Sequence, residues 1–162
     1  MKRFFLFTAV LATASLAASL SFAQTHASTT QQVTLGVNPI YRLLVVGNPT
    51  LTITDGTAGG GLTSATEGTS TYSVTMNQQV GRLTVQLSAV LPDDVDLLIS
   101  VPSTRGESAG PVSIRDANPH DVVTDLNRGA DNGQPITYTL TATPAADPFA
   151  PTAYTVTWTL AD

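Results

Sequence analysis

Apolar side chains recur at every second position over most of this chain. Val33, Leu35 and Val37 form a first run, followed by Leu51 and Ile53, by Tyr72, Val74 and Met76, by Leu83, Val85 and Leu87, and by Leu97, Ile99 and Val101. The pattern returns as Ile136, Tyr138, Leu140 and Ala142 and ends as Tyr154, Val156, Trp158 and Leu160. Successive side chains of a strand point to opposite faces, so a period of two predicts strands with one buried and one solvated face. Trp158 falls on the apolar face of the last run and is expected to be buried. Threonine fills intervening positions, as at Thr137, Thr139, Thr141, Thr155, Thr157 and Thr159. A β-branched hydroxyl there favours extended backbone while keeping the outer face wettable.

Turn-forming residues separate the runs: Gly47-Asn48-Pro49, Asp55-Gly56, Gly59-Gly60-Gly61, Asn77 to Gly81, Pro92-Asp93-Asp94, Gly106 to Pro111, Asn132-Gly133 and Pro144 to Pro151. Eight or nine short strands with this spacing predict an all-β fold, an antiparallel two-sheet sandwich of immunoglobulin-like type. The one candidate for a helical turn is His120 to Leu126, where Val122, Val123 and Leu126 share a face at helical spacing.

The amino terminus has a different pattern. Met1-Lys2-Arg3 is positive, Phe4 to Leu20 is apolar and rich in small residues, and Ser21-Phe22-Ala23 is a small-x-small site, which together predict a secretory signal peptide over residues 1–23. The apolar stretch is too short and too diluted by small residues for a stable membrane span, and no second such stretch follows. Residues 24–31 are polar apart from Ala27 and read as a flexible tail; residues 32–162 hold the sandwich domain. Export to the periplasm, cell surface or exterior is the expected destination.

Charge narrows the partners. Beyond the leader the chain has five arginines, no lysine and twelve carboxylates, a net charge of −7. Phosphate binding needs clustered cations, so nucleic acid and anionic lipid are poor partners. There is no cysteine, which removes disulfides, thiol catalysis and thiolate metal sites together.

Little catalytic chemistry remains. His26 lies in the tail. His120 stands near Asp116, Asn118, Asp121 and Asp125, but without the spacing of a calcium loop. Asp93, Asp94 and Asp96 form the densest acidic cluster and are weak calcium candidates, as is the neighbourhood of Asp116; no transition metal and no cofactor is expected. Gly56 to Gly61 lacks the Lys-Ser or Lys-Thr and the helix of a phosphate loop. Ser103, Ser108 and Ser113 lack a nucleophile elbow, leaving His120 as the sole candidate base outside the tail. Phe149, among the prolines of the Pro144–Pro151 loop, is a candidate contact residue if exposed and a core cap otherwise.

The run Gln32 to Pro39, its continuation Ile40-Tyr41-Arg42-Leu43-Leu44 and the ending Ala150 to Leu160 resemble the major subunits of bacterial surface pili, especially the cysteine-free class-5 fimbrial pilins. The resemblance implies an incomplete immunoglobulin-like sandwich that accepts the amino-terminal strand of a neighbouring subunit. The matching assembly positions would be Val33, Leu35 and Val37, with Gly36 turned away from the groove.

Two roles follow as expectations. One is an exported structural or adhesive cell-surface subunit, not an enzyme, whose partners are other copies of itself or a related subunit. The alternative is a self-contained secreted binding module that recognises a glycan or protein through the loops Asp55 to Gly61 and Pro144 to Pro151.

Overall fold

A computed structural model describes residues 27–162; the predicted leader and the first residues of the tail lie outside the described residues. The chain divides into two units, Met1–Gly36 and Val37–Asp162. In the first, residues 27–36 carry no regular secondary structure, and Val33 and Leu35 are exposed. Val37, at the start of the second, is likewise exposed and outside any strand. The predicted first strand therefore does not form within this chain: an alternating segment becomes a strand only where its N–H and C=O groups find an edge to pair with.

Regular structure begins at Tyr41. Nine strands follow: β1 (Tyr41–Val46), β2 (Ala65–Met76), β3 (Gly81–Leu87), β4 (Val95–Ser100), β5 (Glu107–Ser108), β6 (Val112–Ser113), β7 (His120–Leu126), β8 (Gly129–Ala142) and β9 (Val156–Ala161). They form a five-stranded sheet, β1-β2-β8-β4-β6, and a four-stranded sheet, β5-β7-β3-β9. All pairings are antiparallel. The described residues contain no helix. The architecture is thus an all-β, sandwich-like arrangement of two antiparallel sheets.

The core lies where the inner faces meet. Tyr72, Leu83, Val85, Ile99, Val122 and Ile136 are fully buried, and each occupies an inward position of its strand. Tyr72 buries its ring and still satisfies its hydroxyl by donating to Pro102 O at 2.6 Å.

Three departures from the predicted pattern have one kind of cause, a shift in strand register. His120–Leu126 is strand β7 rather than a helical turn. Val122 and Val123 are both buried because β7 slips against β3 between Gly81 and Thr84, and a bulge turns two successive side chains inward. Asn132-Gly133 is not a turn but a bulge within β8. Gly133 takes φ 62° there, its N–H donates to Ser73 Oγ at 2.9 Å, and Pro135 is tolerated in an inner strand beside the irregularity. β2 begins at Ala65, earlier than its alternation suggests, because its register against β8 shifts between Glu67 and Ser70. By contrast Leu51 and Ile53 lie in irregular backbone, although both are half-buried.

Register also fixes two ends of the sandwich. Tyr41, Met76, Gly81, Leu126, Gly129 and Ala161 gather at the end where the chain enters β1, the near end. Ala65, Leu87, Val95, Ala142 and Val156 mark the opposite, far end, while β1 stops at Val46 about halfway along β2. At the near end Asn77 holds the approach to β1: its side-chain amide donates to Asn38 O and its Oδ1 accepts from Ile40 N, both at 2.8 Å.

Candidate functional site

The inward-facing residues of the outermost strands differ from those of the inner ones. On β1, Tyr41, Leu43 and Val45 face the core but are only half-buried, and on β9 the same holds for Val156, Trp158 and Leu160. Equivalent positions on β3, Leu83, Val85 and Leu87, have at most 1% of their surface exposed. The reason is positional. β1 pairs only with β2, and β9 only with β3, so each has one free edge, and the two strands lie beside each other where the sheets meet.

Trp158 is therefore half-buried, against the expectation of full burial. Its ring faces inward and stacks on Tyr72, but no described strand covers it from the free side of β9. Its neighbour Tyr138 has its phenol pushed up chiefly by burial, offset in part by a hydrogen bond with the Trp158 indole. Tyr41, at the near end of the same margin, is also pushed up, first by partial burial and then by the Asp162 carboxylate beside it. The margin between β1 and β9 is thus a strip of apolar and aromatic surface bordered by unpaired strand edges, which suits an incoming strand.

A second feature lies at the far end. The loops singled out in the sequence, Asp55 to Gly61 and Pro144 to Pro151, come together around a cavity of about 470 Å³. Leu51, Ile53, Leu62, Leu140 and Phe149 supply its apolar walls, and Asp55 and Asp147 also line it. Phe149 is 48% exposed, so it borders this groove and does not cap the core. The glycine-rich loop closes on itself, with Thr57 N donating to Gly61 O at 2.9 Å and Gly60 N to Thr57 O at 2.8 Å.

The acidic candidates have other partners. Asp93 and Asp94 sit exposed in the turn before β4, with Asp94 at φ 62°. Asp96 accepts from Ser113 Oγ at 2.6 Å, a bond that ties β4 to β6. Among the described residues no three His, Asp or Glu side chains are gathered so as to hold a metal ion. Asp116 is bound to His120 Nε2 at 2.5 Å and accepts from Asn118 N and Nδ2. The bond from His120, then those from Asn118, lower its carboxyl to about 2.

The serines are structural. Ser103 Oγ donates to Asp131 Oδ2 at 2.9 Å and accepts from the backbone N–H groups of Arg105 and Gly106. Asp131, 3% exposed, also accepts from Thr104 N at 3.2 Å and from the Thr104 hydroxyl. This buried carboxylate organises the loop after β4, and sequence reasoning missed it because Asp131-Asn132-Gly133 has the composition of an exposed turn.

No protein-family model, curated protein or solved structure matches the chain. No described helix is long and apolar enough to cross a membrane.

Proposed function

We propose that this protein is an exported structural or adhesive cell-surface subunit that polymerises by donating its amino-terminal strand to a neighbouring copy. The observation that carries this reading is the half-buried apolar strip along β1 and β9. A strand laid there would pair with a free edge and cover the strip with every second side chain. Val33, Leu35 and Val37 have the required spacing and are exposed in the single chain.

The strand order supports the finer reading of an immunoglobulin-like sandwich. In that architecture strands A, B, E and D make one sheet and C, F and G the other. Here β1-β2-β8-β4 corresponds to the first set and β3-β9 to C and F. The place of G would be the free edge of β9, where a neighbour's strand completes the fold. The resemblance to fimbrial major subunits implies the same arrangement, and an export signal over residues 1–23 agrees with a surface role. Head-to-tail strand donation does not close on itself and builds a fibre.

The test uses a chain without Gln24 to Asn38, which can accept a strand but cannot donate one. Adding a peptide covering Gln31 to Pro39 should raise its melting temperature, because a ligand that binds only the folded state stabilises it by mass action. No shift at saturating peptide, with the intact protein remaining monomeric, would sink the reading. The self-contained binding module would then be the better account, with the groove at Phe149 as its site.

A further inference from the structure

We infer that the far-end groove binds an extended segment of a partner polypeptide, apolar at every second residue and basic at its ends, which adds as a strand to Leu51–Thr54. The inference goes beyond strand donation and does not depend on it.

Leu51–Thr54 has the pattern of a strand but no partner. Leu51 and Ile53 are half-buried and Thr52 and Thr54 exposed, yet among the described residues no hydrogen bond engages the backbone of any of the four. Backbone N–H and C=O groups beside an apolar surface are costly unless paired, so such a segment is a template for an added strand. A glycan has no regular run of amide donors and acceptors to match that edge, whereas an extended peptide has one at each residue.

The groove supplies the rest. Its volume of about 470 Å³ is that of a ligand pocket. A strand added beside Leu51–Thr54 turns alternate side chains to the same face as Leu51 and Ile53, toward Leu140 and Phe149. The opposite wall is pre-formed. Ala145 N donates to the Thr143 hydroxyl at 3.3 Å, Ala146 N donates to the Thr143 carbonyl at 3.1 Å, and Pro148 and Pro151 restrict the backbone on either side of Phe149. A wall ordered beforehand lowers the entropy cost of binding.

Charge selects the ends of the bound segment. Asp55 and Asp147 stand on the two loops that border the groove, and no Lys, Arg or His lines it. Both carboxylates are exposed, and among the described residues neither is in a salt bridge. Gly56 N donates to Asp55 Oδ1 at 2.7 Å, which orients that carboxylate and leaves its second oxygen for a cation. Asp55 directly follows Thr54, so it meets a residue just past the paired stretch. A long basic side chain there can lay its apolar stem along the groove wall and hold its charge at the carboxylate.

Calorimetry on the exported protein tests this with a capped peptide of alternating valine and threonine that carries an arginine at each end. It should bind, and replacing both arginines by glutamine should weaken it about tenfold at low salt and less at high salt. Strand N–H groups point alternately to two edges, so methylating one alternate set of amide nitrogens should abolish binding and methylating the other should not. Asp55→Asn with Asp147→Asn should remove the preference for arginine over glutamine. Phe149→Ala should weaken both peptides about tenfold. Circular dichroism checks folding, and the peptide comparisons on the parent protein decide the matter where a variant misfolds. Agmatine, an alkylguanidinium without a peptide backbone, and cellotriose, a neutral glycan, should not bind. No binding of the arginine peptide, no difference between the two methylated sets, or agmatine or cellotriose binding as tightly as the peptide would each overturn the inference. The Gln31–Pro39 peptide has no basic residue and should not displace the arginine peptide. Displacement would assign the groove to the donated strand, overturning the inference and leaving strand donation standing. Failure of the Gln31–Pro39 peptide to stabilise the chain lacking Gln24 to Asn38, with the arginine peptide still bound at the groove, removes strand donation and upholds the inference.

Discussion

Tyr72 of one sheet and Trp158 of the other stack across the interior with ring centroids 6.5 Å apart and planes 14° from parallel. The pair joins the two sheets, yet its members are unequally covered: Tyr72 is 1% exposed, while Trp158 stays half-buried at the free margin. The face of the core that Trp158 leaves open is the one an added strand would close.

That asymmetry makes the single tryptophan a reporter. Adding the Gln31–Pro39 peptide to the chain lacking Gln24 to Asn38 should shift Trp158 emission to shorter wavelength as water is excluded from the indole. Emission that stays unchanged while the peptide binds would place the bound strand elsewhere.

Leu35→Asp in the peptide should abolish both this shift and the stabilisation. The carboxylate would have to be buried without a partner, at a cost of several kcal/mol. Equal binding by the altered peptide, measured by calorimetry, would show that Leu35 does not face the strip.

Asp131→Ala should destabilise the fold by about 3 kcal/mol in urea unfolding. It removes the acceptor of Ser103 Oγ, Thr104 N and the Thr104 hydroxyl, and hydrogen bonds to charged groups contribute about 1.5–3 kcal/mol each. A loss below about 1 kcal/mol would mean that the loop after β4 is held by other contacts.

The Asp116–His120 bond predicts a specific pH response. The Asp116 carboxyl is lowered from 3.8 to about 2, so the folded state binds its proton less readily than the unfolded chain. Its contribution to stability is fully present above about pH 4 and is lost as pH falls through about 2. In a carboxylate NMR titration, His120→Ala should move the Asp116 midpoint upward toward its ordinary value. An unmoved midpoint would assign the shift to the Asn118 bonds instead.

The alternation of apolar residues determined, without any tertiary information, that the chain is all-β and which faces of β3, β4, β8 and β9 turn inward, because side-chain direction along a strand is a local property with a period of two. It placed Leu83, Val85, Ile99, Ile136 and Tyr138 in the core correctly. It misread β7 and the Asn132-Gly133 segment because a bulge is set by the partner strand: Val122-Val123 is consecutive in sequence but doubly inward only against a slipped β3. The same limit applies to the candidate site. That Trp158 faces inward was legible from the sequence; that it is half-covered was not, since coverage depends on which strands lack a neighbour. The meeting of the Asp55–Gly61 and Pro144–Pro151 loops at Phe149 joins residues far apart in the chain. Only the antiparallel course of the strands brings them together, because each strand carries the chain from one end of the sandwich to the other and the register decides which residues arrive at the same end.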